Sequence, residues 1–185
     1  MKLIIIFGPH AVGKMTVGQA LSQKTGIPLF HNHESIELAL SLLPKDVSFG
    51  PLSQEIRAVV FKHVSQAHGL GLIFTFMCAL DMKEDHDYMN ELEAMFIKEG
   101  ADVYYVELCA DQDIRLHRNR SENRLKHKPS KRDIEASTDR FVRMENTYRL
   151  NSYEGEINKS NYIKIDNTNL SPDEVADKIL QFFRF

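Results

Sequence analysis

Apolar residues along this chain come in two rhythms. Short unbroken runs rich in β-branched and aromatic side chains are Leu3–Phe7, Pro28–His31, Leu72–Met77, Val103–Leu108 and Tyr162–Ile165. They have the length and make-up of strands buried on both faces. Between them apolar positions recur every three or four residues, the period of an amphipathic helix. One such pattern is Ile56, Val60, Val64 and Ala67, stopped by Gly69; another is Tyr88, Leu92, Met95 and Phe96, stopped by Gly100. The last helix is predicted to begin at Ser171-Pro172-Asp173-Glu174. There serine caps free N–H groups, proline suits the first turn and glutamate completes a capping box. Val175, Ile179, Phe182 and Phe183 form its expected buried stripe. Strands alternating with helices predict an α/β fold, a parallel sheet covered on both faces through right-handed crossovers. No repeat, low-complexity tract or linker breaks the pattern, so residues 1–185 read as one domain.

Composition narrows the function classes. A net charge of −3 gives no general attraction to nucleic acid or an anionic membrane. The run Leu3–Phe7 is too short to span a bilayer. Acidic residues within the first forty positions, and no cleavage-like site, argue against a signal peptide. Cys78 and Cys109 lie in apolar, strand-like runs and read as buried free thiols of a cytoplasmic protein.

The chemistry is concentrated where the first strand meets the first helix. From Gly8 the chain reads Gly-Pro-His-Ala-Val-Gly-Lys-Met-Thr, which matches G-x-x-x-x-G-K but has Met15 where a hydroxyl usually follows the lysine. Such a loop turns backbone N–H groups onto an anion, and the helix opening at Gly13 adds its positive dipole end. Gly8, Pro9, His10, Ala11, Val12, Gly13, Lys14, Met15 and Thr16 are therefore the expected nucleotide phosphate cradle, with Lys14 following the β- and γ-phosphates. Val17, Ala20 and Leu21 supply the helix's buried face. A thioether is a poor ligand for Mg²⁺, so any metal is left to water, nucleotide oxygens and groups elsewhere.

With "GPHAVGKMT", "PLFHNHESIE", "RLHRNRSENRLKHKPSKRD" and "IDNTNLSPDEVADKI", the chain resembles the shikimate kinase and nucleoside monophosphate kinase group of P-loop proteins along nearly its whole length. The resemblance implies a three-layer α/β/α fold with a five-stranded parallel sheet in the order 2-3-1-4-5. It also implies a substrate-binding helical region after strand two and a mobile helical lid after strand four. The implied activity is transfer of the γ-phosphoryl group of ATP, with Mg²⁺, to a small-molecule acceptor. Thr16 takes the place of the threonine that adenylate kinases set on the α-phosphate. Asn167 and Thr168 fall where related kinases line the adenine, a position an ordinary Asx turn would also explain.

Between Arg115 and Arg132 eight basic residues face one acid, Glu122, in a chain that is acidic overall. Read as a lid, this segment is a helix capped by Asp111 followed by a polar loop around Pro129. Arg118 is expected on the inward face shared with Ile114 and Leu125, and Arg120 and Arg124 on another face at i, i+4. Arg118 and Arg124 are the candidate donors to the transferring phosphoryl oxygens. A solvated basic helix and an RNA-binding patch are the competing readings.

The acceptor side departs from the resemblance. His31 and His33 stand where shikimate kinases carry Asp-x-Asp, and "TFMCALD" replaces a glycine run after strand three. This points the acceptor away from shikimate. Alternation along "LFHNH" sets Leu29, His31 and His33 on one side if the strand continues. His33 is then the candidate acceptor contact, an imidazole able to take a hydroxyl proton, with His31 beside it. Hydrogen-bonded residues closing a strand, or two ligands of a zinc site, are the other readings. Asp81, after the third strand, is a candidate to hold a metal-bound water or the acceptor, or to cap the next helix; with Thr16 it makes up the candidate metal set. A nucleoside or nucleotide kinase, or a nucleotide-gated module gripping RNA or a protein, stays open beside the small-metabolite kinase.

Overall fold

Strand β1 (Lys2–Phe7) takes the centre of a five-stranded, all-parallel sheet of order β2-β3-β1-β4-β5. The computed structural model describes residues 1–67 and 69–185. The other strands are β2 (Leu29–His31), β3 (Gly71–Phe76), β4 (Asp102–Cys109) and β5 (Tyr162–Asp166). All five expected strands are present, their ends displaced by a residue or so, and the order matches the expectation.

The pleat divides the core in two. Leu3, Ile5 and Phe7 join Phe74 and Phe76 beneath Phe61 of α3 (Gly50–Gln66) and Leu92 and Phe96 of α4 (Lys83–Lys98). Ile4 and Ile6 face the opposite way, onto Val17 and Leu21 of α1 (Lys14–Thr25) and Val175 and Ile179 of α8 (Pro172–Phe183). Each fully buried Ile or Phe stabilises the fold by about 1.5–3 kcal/mol, so these two layers hold β1 rigid up to its last residue.

The capping box forms as expected: the Ser171 hydroxyl accepts from the Glu174 N–H, and the Glu174 carboxylate accepts from the Ser171 N–H. Two stripes differ from expectation. Phe182 is exposed, because the last turn of α8 leaves the sheet edge; only Phe183 of the pair turns back onto Tyr104. In α3 the innermost row is Ser53, Arg57, Phe61 and Ser65, while Ile56, Val60 and Val64 flank it half-buried. Cys78 is buried, whereas Cys109 at the end of β4 is half-buried; both thiols are free. Among the described residues no helix is long and apolar enough to cross a membrane.

After β4 the chain forms α5 (Gln112–Arg118), α6 (Glu122–His127), a 3₁₀ turn at Pro129–Lys131 and α7 (Ile134–Thr147). The single basic helix expected here is broken between Asn119 and Ser121, so Arg120 and Arg124 do not share a face: Arg120 is exposed and Arg124 buried. Asp111 occupies the N-cap of α5 without a side-chain hydrogen bond.

Candidate functional site

The glycine loop lies at the carboxyl edge of the central strand, where ligands of open α/β sheets gather. Gly8 has φ 137°, and a Cβ there would fall 2.3 Å from the Leu108 carbonyl oxygen of β4. The loop can leave β1 along this path only with glycine. Gly13, at φ 108°, turns the chain into α1. Val17, Ala20 and Leu21 are buried beneath that helix, as its sequence pattern predicts. The N-terminus of α1 is therefore fixed, its first N–H groups open toward a cavity of about 420 Å³.

His10 through Thr16 line this cavity. Asn32 and His33 of α2 (Asn32–Leu42), Thr75 of β3, Arg118, Arg124, Lys128, Lys131, Arg140 and Asn167 line it as well. Among the described residues, no aspartate or glutamate does. The Lys14 ammonium donates to the carbonyls of Gly8 (2.6 Å) and Pro9 (2.7 Å), folding back over its own loop. Burial, with Lys128, Arg124 and Arg115 nearby, lowers its pKa well below the ordinary lysine value. Thr16 Oγ1 donates to the Gly13 carbonyl at 2.8 Å and keeps its lone pairs free. Met15 is buried against the cavity wall. Thr16 is thus the loop's hydroxyl oxygen, and it suits a hard cation that keeps most of its other ligands from nucleotide and water. No group of three or more His, Cys, Asp or Glu side chains among the described residues could hold a metal ion, which leaves the zinc reading of His31 and His33 without a third ligand.

The lid arginines take different places. Arg118 donates to the carbonyls of Val12 (3.3 Å), Asn167 (2.8 Å) and Thr168 (3.1 Å), tying α5 to the glycine loop and the β5–α8 turn. It does not follow Ile114 inward as expected; Ile114 is exposed, and the buried member of that helix is Arg115. Arg115 forms a bidentate pair with Glu145 of α7 at 2.7–2.8 Å and reaches the Ala110 carbonyl. Arg124 is buried with its Nε unpartnered, and burial lowers its pKa to about 10. Asn167 lines the cavity and donates to the Val12 carbonyl at 2.8 Å. Thr168 stands outside, in a turn where its N–H donates to Asp166 and its hydroxyl accepts from Asp111 N–H.

Two expectations on the acceptor side change. β2 ends at His31 and α2 starts at once, so strand alternation does not reach His33; the helical turn, not the pleat, aims it at the cavity. Burial is the largest cause holding His33 at a pKa of about 3, and Lys128, Lys131 and Arg124 push the same way against Glu37. Its Nδ1 lies 3.7 Å from Glu37 Oε1, beyond hydrogen-bond length. His31 is buried outside the cavity, 3.3 Å from Glu34. Asp81 is not brought to the site: it is exposed past β3 and accepts from the Arg149 N–H at 3.1 Å. Nor does it cap α4, whose N-cap is Met82. The acceptor chemistry assigned to Asp81 therefore lacks a geometry.

Sequence reasoning missed Asn32, Arg57, Lys128, Lys131 and Arg140. Buried Arg57 donates to Asn32 Oδ1 at 2.5 Å and to the Tyr88 hydroxyl at 3.0 Å. That contact leaves the Asn32 amide nitrogen as the donor facing the cavity. An arginine in the i, i+4 row Ser53–Arg57–Phe61 was the available signal. For Lys128 and Lys131 it was their i, i+3 spacing around Pro129, which a 3₁₀ turn sets on one side.

The crowded cations make a stability prediction. Burial, then neighbouring cations, lower Lys128 to about 7 and Lys131 to about 8. In the unfolded chain both return to ordinary values, so between pH 7 and 8.5 the unfolded state binds more protons and stability rises with pH. The melting temperature of the ligand-free protein should climb by a few degrees over that interval. A melting temperature that is level or falls without ligand would contradict the burial of these lysines.

No protein-family model matches this sequence, and no curated protein matches it. Solved structures do match its fold. A sugar kinase from Janibacter sp. is 15% identical, with a TM-score of 0.57 over 100% of this chain and 95% of its own. Shikimate kinase from Aquifex aeolicus is 18% identical, with a TM-score of 0.53 over 100% and 96%. The APS kinase of Mycobacterium tuberculosis, solved with AMPPNP and APS, is 14% identical, with a TM-score of 0.54 over 100% and 98%. Sheet order, glycine loop and full-length superposition agree: this chain has the fold of the P-loop small-molecule kinases.

Proposed function

We propose that this protein is an ATP-dependent phosphotransferase that moves the γ-phosphoryl group of ATP to a small hydroxylated or phosphorylated metabolite. The observation that carries the reading is the convergence of Lys14, the α1 N-terminus and Arg124 on one cavity whose lining holds no carboxylate among the described residues. A cleft with that lining favours a polyanion over any neutral ligand. The kinases whose folds match act, by their names, on sugar, shikimate and APS, which supports a small acceptor.

In this reading the loop N–H groups and Lys14 bind the phosphates, and Lys14 exchanges the Gly8 and Pro9 carbonyls for β- and γ-oxygens. Arg118 and Asn167 fix the nucleotide end, Arg124 faces the transferring group and His33 contacts the acceptor. Thr16 is the residue that would hold Mg²⁺, which when bound neutralises charge on the phosphate oxygens. Water is excluded by α6 and the 3₁₀ turn, which are latched to α2 where the Ser130 N–H and hydroxyl donate to Glu37 at 3.2 and 2.5 Å.

The direct test is incubation with γ-labelled ATP and a deproteinised metabolite extract, in which label should pass to a small molecule. Absence of transfer, with the protein folded, would defeat the proposal. A second expectation concerns motion. The lid closes over like charges with few apolar contacts, so its amides between 122 and 132 should exchange freely without ligand and become protected with a non-hydrolysable ATP analogue. Equal exchange in both states would make the segment a plain surface element.

A further inference from the structure

We infer that the acceptor is a phosphate monoester, and that the reaction joins phosphate to phosphate rather than phosphorylating a hydroxyl. The inference rests on the phosphotransferase reading and deepens it. Its basis is which groups meet on the acceptor side of the cavity. Arg124, Lys128, Lys131 and Arg140 line the cavity around His33, and among the described residues none of their side chains has a hydrogen-bond or ion-pair partner. Arg124 and Lys131 are more than nine-tenths buried. Buried cations without partners cost several kcal/mol each unless a ligand supplies the missing anion. Lys14, Arg118 and Arg124 already serve the loop, the nucleotide end and the transferring group, so Lys131, half-buried Lys128 and, at the exposed rim, Arg140 are surplus to ATP. They fit a second, doubly charged anion.

The missing partner argues the same way. A hydroxyl acceptor must lose a proton as it attacks, and a carboxylate is the usual group to take it. Glu37, 3.7 Å from His33 Nδ1, lies outside the cavity lining and accepts from Ser130. His33 lines the cavity beside Lys128 and Lys131, and its low basicity in that company suits a hydrogen-bond donor better than a base. A phosphate monoester has its second ionisation near pH 6 and needs no base at neutral pH. One of its oxygens forms the new bond to the γ-phosphorus, the bond from that phosphorus to the β,γ-bridging oxygen breaks, and ADP leaves with the electron pair. No proton has to move. The product is a phosphoanhydride.

The experiment divides a deproteinised metabolite extract into two halves, one treated with alkaline phosphatase that is then removed. Both are incubated with the protein and γ-labelled ATP, and binding of AMPPNP to the same preparation is measured by calorimetry. Transfer should occur in the untreated half, drop about tenfold or more in the treated half, and give a product with coupled ³¹P resonances of a diphosphate. The double variant Lys128→Ala, Lys131→Ala should transfer label to dilute extract at least about tenfold more slowly, the loss expected for charge-assisted contacts, with AMPPNP affinity nearly kept. Undiminished transfer after phosphatase, with label in a monoester of a hydroxyl compound, would overturn the acceptor class while leaving the kinase reading intact. AMPPNP binding without transfer in either half would overturn both.

Discussion

Lys14→Ala is expected to weaken ATP–Mg²⁺ binding by at least about 100-fold, two charge-assisted contacts at about 1.5–3 kcal/mol each being lost. The fold should survive. Among the described residues the ammonium donates only to the Gly8 and Pro9 carbonyls, and it is held there against burial and the charges of Lys128, Arg124 and Arg115. Removing it relieves that crowding at the cost of its contacts to the Gly8 and Pro9 carbonyls. The path of the loop does not depend on the side chain, since it is set by Gly8 against Leu108 and by Gly13 at the head of α1. Calorimetry with ATP–Mg²⁺, beside a thermal melt of the same variant, separates the two effects. Unchanged affinity in a folded variant would remove the phosphate-loop reading.

What the sequence revealed and what it hid follow from the same physics. β1, β3 and β4 were legible because strands buried on both faces are apolar at most positions, Thr75 and Glu107 being the buried polar exceptions inside them. The glycine loop was legible because its backbone path excludes side chains at Gly8, so composition reports geometry directly. The acceptor side was not. His33 is aimed by where β2 gives way to α2, a boundary that depends on how helix α2 packs rather than on the alternation of "LFHNH". Asp81 is carried away from the crevice by a turn whose polar groups are taken up by Arg149. Lys128 and Lys131 stood in a basic run that looks the same whether it coats a surface or lines a cavity. Only the fold, laying the 3₁₀ turn over α2 through Ser130 and Glu37, separates them from exposed Lys126 and Arg132.

Replacing Arg124 should have the largest effect on chemistry. Arg124→Met deletes the guanidinium and keeps most of the apolar stem, so the buried volume in α6 stays filled. Among the described residues its side chain has no hydrogen-bond partner, and Nε is shut away from solvent. A guanidinium kept dry and unpaired costs stability in the empty protein. The stabilisation is recovered only when negative charge spreads over the oxygens of a transferring phosphoryl group. Turnover of the variant should therefore fall by about 10³-fold or more, the range seen when an arginine is withdrawn from such a transition state. The melting temperature of the ligand-free variant should hold or rise, because a desolvated charge has gone. Arg118→Ala should behave differently. Arg118 spends its donors on the Val12, Asn167 and Thr168 carbonyls, so its loss should loosen the nucleotide end and raise KM for ATP more than it lowers kcat. Single-turnover rates at saturating ATP, with melts of both variants, read the contrast. If Arg124→Met turned over within tenfold of the parent, or melted many degrees lower, Arg124 would be a packing residue, and the cation facing the transferred phosphoryl group would have to be sought at Lys131.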